Sequence, residues 1–240
     1  MTAFDAVAPD GSPVAIYRLL PDMGEVDLIR SHLPAHASIL ELGCGAGRMT
    51  AGLLALGHPV TAVDESKAML AAAAKRAPGA RYLLARIREL RLGDTYPVVL
   101  LASRLINNPE ARPAVLAAAR RHLAPDGLLL AEAYPEQVDW EAQIGRVDIV
   151  GAVSISLTRA HVADGRLDAT VRYEVEDRAW EQSFVADLLD EAAIRRSLSD
   201  AGLAFDAWIA RERGWFAARP TLAYRAIKPA LVGTAPHDST

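Results

Sequence analysis

The run Ile39-Leu40-Glu41-Leu42-Gly43-Cys44-Gly45-Ala46-Gly47-Arg48 constrains the fold more than any other stretch of the chain. Its apolar opening reads as a buried strand that closes on an acid. A turn with glycine at alternate positions follows, and then Arg48-Met49-Thr50-Ala51-Gly52-Leu53-Leu54, which reads as a helix. Glycine lets a backbone bend sharply and lie against a ligand with no Cβ in the way. The start of the helix points unpaired N–H groups at the same spot. Strand, glycine turn and helix in this order make a nucleotide cradle, and the acid and the glycine spacing decide which nucleotide it takes.

Strand and helix signals alternate from there. Ser38–Leu42, Val60–Val63 (ending at Asp64), Arg81–Ala85, Pro97–Ala102 and Leu128–Ala133 read as strands. Gly47–Leu56, Ser66–Arg76 (with Ser66 as its cap) and Pro109–Leu123 (stopped by Pro125-Asp126-Gly127) read as helices between them. Val14–Leu20 and Glu25–Leu33 precede the first strand as short helices. Continuous apolar strands alternating with helices predict an α/β fold, a doubly wound and mostly parallel sheet covered on both faces. The pattern then changes. Ile149–Val162 and Leu167–Val175 alternate apolar with polar around Asp164-Gly165, a hairpin signal, and Glu181–Val185 adds a third strand. An antiparallel meander is therefore expected after the fifth strand. A helix over Leu188–Ala201, capped by Asp187 and stopped by Gly202, and two closing strands, Ala204–Ala210 and Thr221–Ile227, complete the reading.

No repeat or low-complexity linker divides the chain, so 1–240 is expected to be a single domain. Its parts are an N-terminal helical segment (1–37), a core (38–134), an antiparallel cap (149–185), a C-terminal helix and strands (186–229) and a loose tail (233–240). The 240 residues suit one α/β domain with an elaboration. The net charge of −4 and the lack of a Lys/Arg-dense tract argue against a nucleic-acid partner. A lone cysteine, Cys44, builds neither a disulfide nor a thiolate metal site and suits a reducing cytoplasm. The six histidines show no metal spacing. The N-terminus lacks a signal-peptide pattern and no apolar run spans a bilayer, so neither export nor a membrane is expected.

A dinucleotide site wants G-x-G-x-x-G, but Arg48 stands where the third glycine belongs and would hinder close helix–strand contact. No G-K-[ST] follows the turn, which excludes a triphosphate P-loop. Glu41 would repel a pyrophosphate and welcome an ammonium or a sulfonium. Asp64, at the end of the second strand, is placed to accept both hydroxyls of a ribose. An adenosine with a cationic amino-acid tail satisfies both acids, and S-adenosylmethionine is that molecule.

The E-x-G-x-G-x-G run together with Asp64 resembles the first two motifs of the class I S-adenosylmethionine-dependent methyltransferases. The resemblance covers residues 38–134 by strand order and extends loosely to the C-terminal helix and strands. It implies a Rossmann-like sheet of seven strands with the last antiparallel, and methyl transfer to a small-molecule acceptor. By this resemblance Glu41, Gly43, Cys44 and Gly45 line the methionine and ribose portion. Asp64 holds the ribose, Glu65 and Met69 flank the adenine, and Arg86 and Ile87 approach it. Ala102 and Ser103, with the Arg104 backbone, flank the methionine. Arg86 stands where many members carry an acid, and it cannot accept a hydrogen bond.

Each residue also has a plainer reading. Cys44 fills a turn, Met69 packs in a core and Asn108 starts a helix. For the acceptor side, Tyr17, Asn107 and Asn108 are candidate contacts, and Tyr134, Glu132 and His161 are candidate bases. The nucleophile, oxygen, nitrogen or carbon, stays open, as does monomer against homodimer. Two rival readings remain: a non-catalytic module that binds the same cofactor, and a nicotinamide-dependent oxidoreductase.

Overall fold

The computed structural model describes residues 6–221. Its central element is a seven-stranded sheet built from β1 (Ile39–Leu42), β2 (Val60–Asp64), β3 (Arg81–Leu84), β4 (Tyr96–Leu101), β5 (Leu123–Glu132), β10 (Leu203–Ala210) and β11 (Trp215–Pro220). Their order across the sheet is β10-β11-β5-β4-β1-β2-β3. The β1–β2, β2–β3, β1–β4 and β4–β5 pairs are parallel, while β11 runs antiparallel to both its neighbours. The chain reverses direction on either side of β1, so the ends of β1 and β4 open a crevice at the centre of the sheet.

Helices cover both faces, which is why the strand sequences are apolar without interruption. α5 (Arg112–His122) and α6 (Glu191–Asp200) cover Leu40, Leu42, Val99, Leu101, Leu129 and Ala131. On the other face α2 (Glu25–Ile29), α3 (Arg48–Ala55) and α4 (Lys67–Arg76) bury Ile39, Val60, Ala62, Val98, Leu100 and Leu130. Ser66 caps α4 as expected, its Oγ accepting from the Met69 N–H at 3.3 Å. The predicted Val14–Leu20 and Glu25–Leu33 helices are shorter: α1 spans Val14–Tyr17, and α2 passes into a 3-10 turn over Arg30–His32.

The inserted meander is a separate sheet of four strands, one more than expected. β6 (Val147–Val150), β7 (Val153–Ala163), β8 (Arg166–Val175) and β9 (Arg178–Asp187) lie in that order. The segment read as one strand over 149–162 is broken after Val150, because Gly151 (φ 62°) turns the chain back on itself. The Asp164-Gly165 turn lies as predicted between β7 and β8, with both residues at positive φ. α1 joins the two sheets. Val14 packs with Ala46 and Met69 beside the glycine turn, while Ile16, fully buried, packs with Val153 and Tyr173 of the inserted sheet.

Three expectations at the C-terminal side change. Asp190, not Asp187, caps α6, accepting from the Ala193 N–H at 2.6 Å. Asp187 instead pairs with Arg112 and with Arg166. The last strand among the described residues is Trp215–Pro220, a stretch the sequence reading did not mark; of the strand expected over 221–227, residues 222–227 lie outside the described residues, as does the 233–240 tail. A small left-handed turn at Gly214 (φ 74°) starts the Trp215–Pro220 strand, and Trp215 and Phe216 are fully buried in the two cores. Pro125-Asp126-Gly127 does not separate helix from strand. α5 runs straight into β5, and the three residues are accommodated at an irregularity in its pairing with β4.

Candidate active site

The glycine turn lies at the C-terminal end of β1, where sequence reasoning placed it. Gly43 has φ 77°, and a Cβ there would sit 2.7 Å from Leu105 Cδ1. A Cβ on Gly47 (φ 78°) would meet the Ala73 backbone at 3.0 Å, so this glycine lets the start of α3 approach α4. The Gly43 and Cys44 N–H groups both donate to the Val63 carbonyl, at 2.8 and 3.0 Å, which stitches the turn to the end of β2. Gly45 N–H donates to Asp64 Oδ2 and Ser66 N–H to Asp64 Oδ1, each at 2.8 Å. Asp64 is thereby fixed at the rim with a lone pair left on each oxygen.

The charge distribution decides what fits. Glu41 is 3% exposed, and its carboxylate accepts from Thr50 Oγ1 at 2.6 Å. Burial pushes its carboxyl up to about 7. Burial also raises Asp64, against the two backbone N–H bonds that lower it. Arg48 is not available to an anion, because it pairs with the buried Glu25. Burial would raise Glu25, but its hydrogen bond with Asp22 and the Arg48 guanidinium together hold it down to about 2. A buried acid and a half-buried one, both short of a counter-charge, suit a cation and hydroxyl donors and oppose a pyrophosphate. The residues present fit S-adenosylmethionine.

The other predicted cofactor residues divide. Ile87 lies against the cradle, with its Cδ1 3.9 Å from a Gly43 Cβ. Ala102 is buried beside the turn at the end of β4. Glu65 and Arg86 sit together at the surface, joined by an ion pair of 3.4 Å. Met69 is 2% exposed and packs with Ala8, Val14 and Ala46, so its role is core packing. Cys44 is buried, and burial drives its thiol far above the ordinary range, which makes it an inert filler.

On the acceptor side the structure reassigns several residues. His161 is on the outer hairpin with its side chain 70% exposed, paired to Glu141 at 3.4 Å, and is no candidate base. Asn108 is exposed, and its Oδ1 accepts from the Glu110 and Ala111 N–H groups ahead of α5, so it is a turn residue rather than an acceptor contact. Asn107 is fully buried: its Nδ2 donates to the Asp187 carbonyl at 2.7 Å, and its Oδ1 accepts from the Tyr134 N–H at 2.9 Å. It ties the inserted sheet to the core and has no atom to spare for an acceptor. Glu132, 4% exposed, accepts from the Ser103 N–H at 2.9 Å and forms an ion pair with Arg104 Nη2 at 3.1 Å. Each oxygen holds the bend after β4, so Glu132 positions that bend and does not serve as a base.

Tyr17 is where it was sought, with its Cδ1 3.8 Å from a Gly45 Cβ. It is hydrogen-bonded to Ser12 and to Tyr173, and burial raises its phenol. Tyr173 hydrogen-bonds Gln182 at 3.3 Å, and Gln182 reaches Ser12 at 3.1 Å. Tyr134, raised by burial to about 12, stacks with Phe184 and meets Trp140 edge-on at 4.9 Å. Tyr173 and Gln182 were missed in the sequence because an inward position on an inserted sheet has no motif; only β-alternation marks it. Two surface hollows, one lined by Leu19, Val175 and Trp180 and one by Val138, Trp140 and Leu188, lie away from the cradle. Among the described residues no His/Cys/Asp/Glu cluster suits a metal ion, and no helix is long and apolar enough to cross a membrane.

Comparison with known proteins agrees with this geometry. Residues 39–127 match the family model described as a methyltransferase domain. The chain is 28% identical over 193 residues to a dTDP-4-amino-2,3,4,6-tetradeoxy-D-glucose N,N-dimethyltransferase of Saccharopolyspora spinosa, covering 76% of this chain and 78% of the relative. It is 29% identical over 197 residues to a trans-aconitate 2-methyltransferase of Variovorax paradoxus strain S110, covering 73% and 72%. Among solved structures, CalS10, an amino pentose methyltransferase from Micromonospora echinaspora solved with S-adenosylmethionine bound, superposes with a TM-score of 0.64 at 24% identity, covering 82% of this chain and 88% of that one.

Proposed function

Because the chain belongs to the class I S-adenosylmethionine-dependent methyltransferases, we propose that it methylates a small-molecule acceptor held between the glycine cradle and the inserted sheet. The carrying observation is the pair of acids, buried Glu41 and half-buried Asp64, around a positive-φ glycine turn whose Arg48 is already neutralised. The two relatives named above act on small molecules, an amino sugar nucleotide and trans-aconitate, which supports an acceptor of that size.

When bound, the cofactor supplies a methyl group on a positively charged sulfur. This chain's residues do the rest. Glu41 offers negative charge at the cradle floor, and Asp64 accepts the ribose hydroxyls. α1 lays Tyr17 across the turn and helps exclude water. The thioether left behind would be neutral, so no residue of this chain need supply a proton to a leaving group. Holding the nucleophile at attack distance is worth about 7–11 kcal/mol by itself. Tyr17, Tyr134 and Tyr173 all have phenols raised by burial, so they stay protonated near neutral pH. They orient the acceptor as neutral hydrogen-bonding groups. With Glu132 and His161 set aside, the site favours an acceptor that arrives with a free lone pair, such as an unprotonated amine.

We further read the protein as cytoplasmic, monomeric or homodimeric and without a nucleic-acid acceptor. The lone buried cysteine and the lack of a basic tract support this. The test is mass spectrometry of reactions with S-adenosylmethionine and a panel of small amines, alcohols and activated carbon acids. S-adenosylhomocysteine appearing together with a product heavier than the acceptor by the mass of one CH2 group is the expected result. Cofactor binding with no product from any acceptor would instead favour the non-catalytic module.

A further inference from the structure

We propose that Arg104 is the acceptor's anchor and that the acceptor carries an oxyanion, a carboxylate or a phosphate. This deepens the methyl-transfer reading and rests on it. The bend after β4 places Ser103 at φ 58° and Arg104 at φ 56°, two successive non-glycine residues in the left-handed region. Such a conformation is costly and persists only where surrounding contacts impose it. Here Glu132 imposes it, taking the Ser103 N–H on one oxygen and Arg104 on the other. The guanidinium lies over the Tyr134 ring at 5.1 Å, and Tyr134 is itself wedged between Trp140 and Phe184. The next residue, Leu105, overlies Gly43 of the cradle. Arg104 is thus held rigidly, one residue from the cofactor turn, on the side that faces the inserted sheet.

Its donors are not used up. Glu132 takes one N–H of Nη2, Nε is closed off by burial, and no hydrogen bond engages Nη1 among the described residues on a side chain that is still 40% exposed. Nη1 and the second N–H of Nη2 form an end-on fork that matches a carboxylate or phosphate. The neighbouring polar groups are Tyr134 and Glu132. Glu132 would repel an oxyanion, so the fork and not the net charge of the site must provide the attraction. A structural salt bridge alone would not require two strained residues to carry it.

The test uses the full chain saturated with S-adenosylhomocysteine and measures calorimetric binding of two probes, citrate for carboxylates and inorganic pyrophosphate for phosphates. The wild type should bind at least one of them, and which one identifies the source of the oxyanion. Arg104→Gly relieves the positive φ and removes the fork. It should weaken that probe by between about tenfold and a hundredfold, with cooperative melting retained. Equal probe binding by wild type and Arg104→Gly overturns the proposal. So does a wild type that binds neither probe. Methyl transfer is scored separately. Probe binding that depends on Arg104 in a protein without turnover removes the enzymatic reading and leaves the anion site standing.

Discussion

Glu41 should make both the stability of this protein and its hold on a cationic cofactor depend on pH, in opposite senses. Its carboxyl rises from an ordinary 4.5 to about 7 because it is buried, with only Thr50 as a close donor. The folded protein therefore keeps the proton that the unfolded chain has lost. Stability from this group is fully present below pH 4.5, falls as pH rises, and is gone above about 7. At about 1.36 kcal/mol for each pH unit in that window, the loss is on the order of 3 kcal/mol. Glu41→Gln keeps the shape and an acceptor for Thr50 but does not ionise. Urea unfolding of both proteins should show equal stabilities in acid and a variant more stable by on the order of 3 kcal/mol above neutrality. The sulfonium needs the ionised form. Calorimetric S-adenosylmethionine affinity of the wild type should thus improve by up to about tenfold per pH unit until near 7 and then level off, with no such slope in Glu41→Gln. A stability difference that does not vary with pH, together with a flat wild-type affinity, would refute the account of Glu41 as a buried acid waiting for a cation.

Other substitutions probe separate parts of the structure. Asp64→Ala removes two ribose contacts and should weaken calorimetric cofactor affinity by about 1–3 kcal/mol; unchanged affinity would displace Asp64 from the ribose role. Gly214→Ala would put a Cβ 1.9 Å from the Ala133 carbonyl oxygen on a backbone with φ 74°, so its denaturation midpoint should show a loss of at least about 3 kcal/mol. Ile16→Ala empties the contact between α1 and the inserted sheet and should cost about 2–4 kcal/mol in chemical unfolding. His161→Ala should leave turnover unaltered and stability within about 0.5 kcal/mol, because its ion pair is exposed; a changed pH–rate profile would return it to the chemistry.

Where chemistry depends on residues close in the chain, the sequence carried it. The β1–turn–α3 cradle, Glu41, Asp64 and the Ser66 cap are local patterns, and each lies where its spacing put it. The positions of the strands through β5 followed from apolar runs of the kind that a doubly covered sheet requires. Errors gathered where two signals of similar strength competed. Asp187 and Asp190 are both plausible caps, and only the ion pairs of Asp187 with Arg112 and Arg166 separate them. The break after Val150 was hidden because strand alternation continues on both sides of Gly151. The Trp215–Pro220 strand went unmarked because Trp215-Phe216-Ala217-Ala218 is as apolar as a core helix segment of that length.

The acceptor side was set by folding alone. Glu132 and Tyr134 looked like titrating groups at the end of a strand. What they do was decided by a strained bend 29 residues earlier, which occupies both Glu132 oxygens, and by aromatic neighbours from the inserted sheet. Asn107 gave up its amide to backbone groups 80 and 27 residues away. Sequence determines features whose partners lie within a turn or a strand, because backbone geometry fixes those distances in advance. Burial, and with it the protonation and availability of each polar group, depends on which distant surfaces meet, and that is settled only when the two sheets close on α1.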